Sequence, residues 1–170
     1  MSATVRPWDT LLRAIESATG PTGGLGHQEF IDLLWEHLAA TGVSWLGIYY
    51  ADPDAPEESR LVLGARRDSP ACSPIGLHGV CGRCWRQGEA IVIEDVADLG
   101  EEYIACDPRD RSEVVVPLGS KPPWGVLDLD SHQVGCFGPE DARQLARAVG
   151  AARLAPPPGL GEGSEATFPA

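Results

Sequence analysis

The chain has 170 residues, 43% of them hydrophobic, a size and apolar content that bury one core and set the expectation of one domain. Its formal net charge of -12 and sequence pI near 4.6 argue against nucleic acid and anionic membrane surfaces as partners, because either would bring like charges together. The opening residues MSATVRPWDT lack a basic segment leading into an apolar run, and no stretch approaches the ~20 apolar residues of a membrane span, so a cytoplasmic protein is expected.

In chain order, residues 8–18 read as a weak helix, and the helix-breaking stretch from Pro21 to Gly26 reads as a loop. Residues 28–41 then carry Phe30, Leu33, Leu34 and Leu38 at i, i+3, i+4 and i+8, one face of an amphipathic helix able to pack on the first. Short apolar or alternating runs follow at 44–50, 60–64, 90–94, 113–118 and 125–130, each bounded by Gly, Pro or Asp, and these read as strands. The last two are separated only by residues 119–124, too few for a helical crossover, so they are expected to pair as an antiparallel hairpin. Gly138-Pro139-Glu140-Asp141 announces a final helix, with Pro and two acids in its first turn and Ala142, Leu145, Ala146 and Val149 as its apolar stripe. Past Leu154 the composition turns to Pro, Gly and polar residues, which predicts a domain over 1–155 and a disordered tail over 156–170. The sum is an α/β (α+β) sandwich, an antiparallel sheet flanked by helices and interrupted by a loop-and-helix excursion.

Four of the five cysteines, Cys72, Cys81, Cys84 and Cys106, fall in the middle of the chain, mostly in segments expected to be loops, and only Cys136 lies apart. In a reducing compartment such thiols are redox-active, metal-binding or buried. Cys81 sits in Gly79-Val-Cys-Gly82, where a short helix can begin and its dipole favour a thiolate. Cys106 has Asp107 beside it, which raises a thiol pKa, and Arg109 and Arg111 close enough to oppose that. Cys81-Gly-Arg-Cys84 also has zinc-ligand spacing, and Cys72 and Cys106 would complete a four-thiolate site, although a second CxxC is missing. On strand 125–130, alternation puts Asp128 and Asp130 on one face with Val126, either as a solvated face or as paired carboxyls with a task.

Five blocks then occur in order: Pro70-Ala-Cys-Ser-Pro-Ile75, Gly79-Val-Cys-Gly82, Ile104-Ala-Cys-Asp107, Ser112-Glu-Val-Val-Val-Pro117 and Gly125-Val-Leu-Asp-Leu-Asp-Ser131. Together they resemble the GAF-domain free methionine-(R)-sulfoxide reductases, and the likeness extends from Ser44-Trp-Leu-Gly-Ile-Tyr49 to Phe137-Gly-Pro-Glu-Asp141. The resemblance implies a GAF-like fold with a five- or six-stranded sheet. It implies that Cys106 attacks the sulfoxide sulfur, that Cys72 resolves the resulting sulfenic acid as a disulfide, and that Cys81 is an auxiliary resolving thiol. Glu113, Asp128 and Asp130 would bind substrate, and Trp45 would form the apolar wall for its methyl group. No bound cofactor or metal is implied; thioredoxin would restore the dithiol, and a homodimer is within the family's habit. The alternative is a non-catalytic GAF module that binds a small ligand or senses redox state. Three stretches depart from the family pattern: Arg66 and Arg67 replace a small polar turn before Cys72, Pro108, Arg109, Asp110 and Arg111 replace small residues after Cys106, and Cys84 and Trp85 replace small residues after Gly79-Val-Cys-Gly82.

Overall fold

Alternation in the strand segments decides which side chains meet on each face of the sheet, and in the computed structural model both faces are covered. The structure describes residues 4–67 and 71–159. Strands β1 (Trp45–Ala51), β2 (Leu61–Arg66), β3 (Ile91–Ile93), β4 (Ser112–Leu118) and β5 (Gly125–Ser131) form one sheet in the order β2-β1-β5-β4-β3, every pair antiparallel. The hairpin expected between the last two strands is present, and its turn uses Gly119 at φ +85°, where an added Cβ would lie 2.6 Å from the Trp124 ring.

One face carries Leu46, Ile48, Val114, Val116, Leu127 and Leu129, all nearly inaccessible. Against it pack helices α1 (Trp8–Thr19), α2 (His27–Leu38) and α4 (Pro139–Ala152). The apolar stripes differ in detail from the periodicity argument. On α2, Ile31 is fully buried and Leu33 only half-buried; on α4, Ala146 is exposed while Ala148 and Ala152 are buried. Alanine satisfies either side of a helix boundary, so composition could not decide where that stripe ended. Asp141 anchors the start of α4: it accepts from Gly138 N at 2.8 Å and pairs at 2.9 Å with the buried Arg6, which stacks on Phe137.

The opposite face carries Trp45, Tyr49, Val115 and Val126, covered by helix α3 (Val80–Gln87) and the loops on either side of it. Cys81 and Cys84 therefore lie on a helix and not in loops, one turn apart and both buried. Gly82 permits this packing, since a Cβ there would meet the Leu77 backbone at 2.3 Å. The chain past α4 runs through a turn to residue 159 with Pro157 buried and Ala155 O 2.7 Å from His27 Nε2; the rest of the predicted tail lies outside the described residues. Among the described residues no helix is long and apolar enough to cross a membrane.

Candidate active site

Strand register brings the carboxyls together. Trp45 on β1 pairs with Asp130 on β5, and Asp130 pairs with Glu113 on β4; one step along, Asp128 pairs with Gly47 and Val115. Paired residues and their i+2 neighbours share a face, so Trp45, Tyr49, Glu113, Asp128 and Asp130 all project to the side away from α1, α2 and α4. Gly47 lets the indole lie over the strand, because a Cβ there would sit 2.6 Å from the ring of Trp45. The face holding Asp128 is not solvated: α3 and the two cysteine loops cover it, and Asp128 is 6% exposed.

These groups floor a small, partly open cleft of about 40 Å³. Val80 and Cys81 wall it from α3, and Ala71, Ile75, Tyr103, Ile104 and Cys106 close it from above. The roof consists of two loops joined by a disulfide between Cys72 and Cys106, with Cα atoms 5.4 Å apart. Each loop is tied down independently. Tyr49 OH donates to Cys72 O at 2.8 Å, Leu63 N donates to Ser73 Oγ at 3.0 Å, and Ile75 bridges to Leu61. On the other side Asp107 accepts from Arg109 N, Nε and Nη2 at 3.0, 3.0 and 2.8 Å, and Arg111 N donates to Ser131 O. The arginines after Cys106 are thus committed to carboxylates, Arg109 to Asp107 and Arg111 to Asp95 at 3.5 Å, and neither is engaged with the Cys106 sulfur. Cys106 lines the cleft; Cys72, bonded to it, does not. Their pairing removes two of the sulfurs that a four-thiolate zinc site would have required.

The electrostatics follow from burial. Glu113, Asp128 and Asp130 are pushed well above the usual carboxyl range, first by burial and next by one another's charge. Cys81 begins its helix as the dipole argument required, but a helix N-terminus is worth about 1 kcal/mol. Burial and the neighbouring Asp128 outweigh it and push the thiol up; its S–H donates to Asp128 Oδ2 at 3.4 Å. Cys81 is therefore a protonated thiol at neutral pH, and burial pushes Cys84 up to about 12. Cys81, Glu113 and Asp128 offer sulfur and oxygen atoms within 4.8 Å of one another, donor types that suit a divalent ion, and burial pushes the pKa of each of them up.

Four buried polar atoms in the cleft have no protein partner: Trp45 Nε1, Asp110 Oδ1, Glu113 Oε2 and Asp128 Oδ1. Buried polar atoms are seldom left so, and these offer one donor and three carboxyl oxygens to a small polar guest. Tyr49, Tyr103, Ile104 and Asp110 belong to this lining and are additional to the residues selected from the sequence. Tyr49 was accessible to the same period-two reasoning that paired Asp128 with Asp130, being four residues from Trp45 on one strand. Ile104 opens the Ile104-Ala-Cys-Asp107 block, but no sequence signal pointed to Tyr103 beyond its closeness to Cys106.

The raised carboxyls set a pH dependence of stability. Folding raises Glu113, so its adverse contribution is absent below its unfolded pKa of about 4.3 and grows as pH rises toward the native value. Glu113→Gln cannot ionise; in thermal scans it is expected to melt with the wild type near about pH 4 and above it near about pH 8. A variant less stable than wild type at the higher pH would contradict the assignment.

A profile of the GAF domain family matches residues 25–155. The Escherichia coli free methionine-R-sulfoxide reductase is 39% identical over 120 residues, 69% of this chain and 67% of that protein. Among solved structures, the Neisseria meningitidis free methionine-R-sulfoxide reductase in complex with its substrate superposes with TM-score 0.70 at 34% identity, covering 86% of this chain and 90% of that one. The reduced form of the Staphylococcus aureus enzyme superposes with TM-score 0.76 at 25% identity, covering 89% and 96%.

Proposed function

Because this chain belongs to the GAF-domain family of free methionine-R-sulfoxide reductases, we propose that it reduces free methionine-(R)-sulfoxide with Cys106 as nucleophile and Cys72 as resolving thiol. The observation that carries the division of labour is that Cys106 faces the cleft while Cys72 stands behind it within bonding distance.

In the reduced enzyme the Cys106 sulfur attacks the sulfoxide sulfur, the oxygen is protonated and passes to Cys106 as a sulfenic acid, and methionine leaves. The Cys72 thiol then attacks the Cys106 sulfur, expelling water and forming the disulfide. Two external thiols return both cysteines to the reduced state; a thioredoxin in the reducing cytoplasm fits that task, and no bound cofactor is required.

The carboxyl cluster suits both demands of this chemistry. A buried carboxyl whose pKa is pushed up by burial and by its acidic neighbours is suited to supply the proton that the departing oxygen needs. An incoming ammonium group provides the positive charge that lets one of Glu113, Asp128 and Asp130 ionise and hold it, while the others stay acidic. The Trp45 ring is suited to wall the methyl group, and its Nε1 to donate to an oxygen of the substrate. Cys81 faces the same cleft and keeps an auxiliary resolving role; its elevated pKa makes it the slower of the two resolvers.

The test is a coupled assay with thioredoxin, thioredoxin reductase and NADPH. NADPH is expected to be consumed with the free (R)-sulfoxide and not with the (S)-epimer or with the sulfoxide inside a peptide, because the buried carboxyls are placed to receive a free α-ammonium group, which a peptide lacks. A disulfide that cycles with no turnover on either epimer would overturn the enzyme in favour of a redox sensor.

A further inference from the structure

The stretch 108–111, where the chain departs from the family pattern, places one more acid in the cleft. Asp110 is 7% exposed, it lines the pocket beside Glu113, Asp128 and Asp130, and its Oδ1 accepts no hydrogen bond. Its position is fixed on both sides. Asp110 N donates to Asp107 O at 3.1 Å in the turn that Arg109 clamps, and the next residue bonds to Ser131 O.

The charges around it are mixed. Arg109 is engaged with Asp107, and the ring that faces Asp110 is that of His132, whose Nε2 lies 3.7 Å from Asp110 Oδ1 and 3.3 Å from Asp107 Oδ2. From the strands, Glu113, Asp128 and Asp130 present carboxyls, and Tyr103 lies on the same side of the cleft. A fourth carboxyl in so crowded and buried a site is unfavourable unless the occupant brings a positive charge. A zwitterionic amino acid brings one on its α-ammonium group, and its α-carboxylate would be repelled from the same spot.

We propose that Asp110 is a specificity-determining residue that shares the ammonium group of the substrate with the strand carboxyls, and that His132 is the positioning residue that keeps it able to do so. This rests on the sulfoxide reductase reading above. Burial and Asp107 raise the Asp110 carboxyl to about 6, and His132 and Arg109 oppose that rise. Ammonium binding through Asp110 is therefore present above that value and lost as pH falls through it.

The experiment measures KM and kcat for free methionine-(R)-sulfoxide from about pH 5 to about pH 8. It compares wild type, Asp110→Asn and His132→Asn, and uses the des-amino analogue of the substrate as a competing inhibitor. Asp110→Asn is expected to raise KM about tenfold at the upper end of this range, with the loss in KM and not in kcat. The inhibition constant of the des-amino analogue should not worsen. The wild-type KM should fall as pH rises through about 6, with that inflection missing in Asp110→Asn and displaced upward in His132→Asn, where the imidazole that opposes the rise of the Asp110 carboxyl is gone. An unchanged KM in Asp110→Asn, or an equal loss for the des-amino analogue, overturns the proposal. No turnover by the wild type would sink the reductase reading itself, whereas wild-type turnover indifferent to Asp110 sinks only this inference.

Discussion

Cys106→Ser is expected to lower turnover of free methionine-(R)-sulfoxide by at least about a thousandfold while leaving substrate affinity close to that of the wild type. Cys106 is the member of the disulfide pair that lines the cleft, and a hydroxyl in its place is a far weaker nucleophile toward sulfur. The roof should survive the substitution, because the Cys106 loop is held by the Asp107 to Arg109 contacts and the Cys72 loop by Tyr49 and Leu61, none of which involves a sulfur. Isothermal titration with the sulfoxide separates the two quantities. Retained turnover would mean that another thiol attacks.

Cys72→Ser is expected to divide the reaction in two. The first methionine should be released at close to the wild-type rate, since the attacking sulfur and the carboxyl cluster are untouched. Steady-state turnover should fall by about a hundredfold or more, because the sulfenic acid on Cys106 is left to Cys81, whose buried, protonated thiol is a poor nucleophile. Mass spectrometry of the protein after a single turnover should find a trappable sulfenic acid. Adding Cys81→Ser should remove the residual turnover; if it does not, Cys81 has no resolving role.

The hairpin was legible because period-two alternation and a six-residue connection leave few other pairings for residues 113–130. Once that hairpin is drawn, the facing of Glu113, Asp128 and Asp130 follows from register. Whether their face was wet or dry did not follow, because it depends on α3 and two loops folding back over the strands, a long-range event that no local pattern encodes. The same loops decide the cysteines. Spacing alone left Cys72, Cys81, Cys84 and Cys106 as equal members of a reactive or zinc-binding set, and the separate tasks came from sequence context shared with a family. Asp110 was visible only as a departure from that family; its entry into the cleft depends on the turn that Asp107 organises. Cys81 illustrates the limit of a local electrostatic argument: the helix start was correctly sited, but burial beside Asp128 reversed the expected direction of its pKa.

The exchange between two named cysteines, driven by substrate and by nothing else, is the claim on which the rest depends. The direct measurement is to reduce the protein fully, remove the reductant, and add excess free methionine-(R)-sulfoxide without any thiol. The expected result is about one methionine released per chain, with proteolysis and mass spectrometry recovering a peptide pair joined through Cys72 and Cys106. Release of no methionine, or a substrate-driven disulfide that leaves Cys106 unpaired, would contradict it.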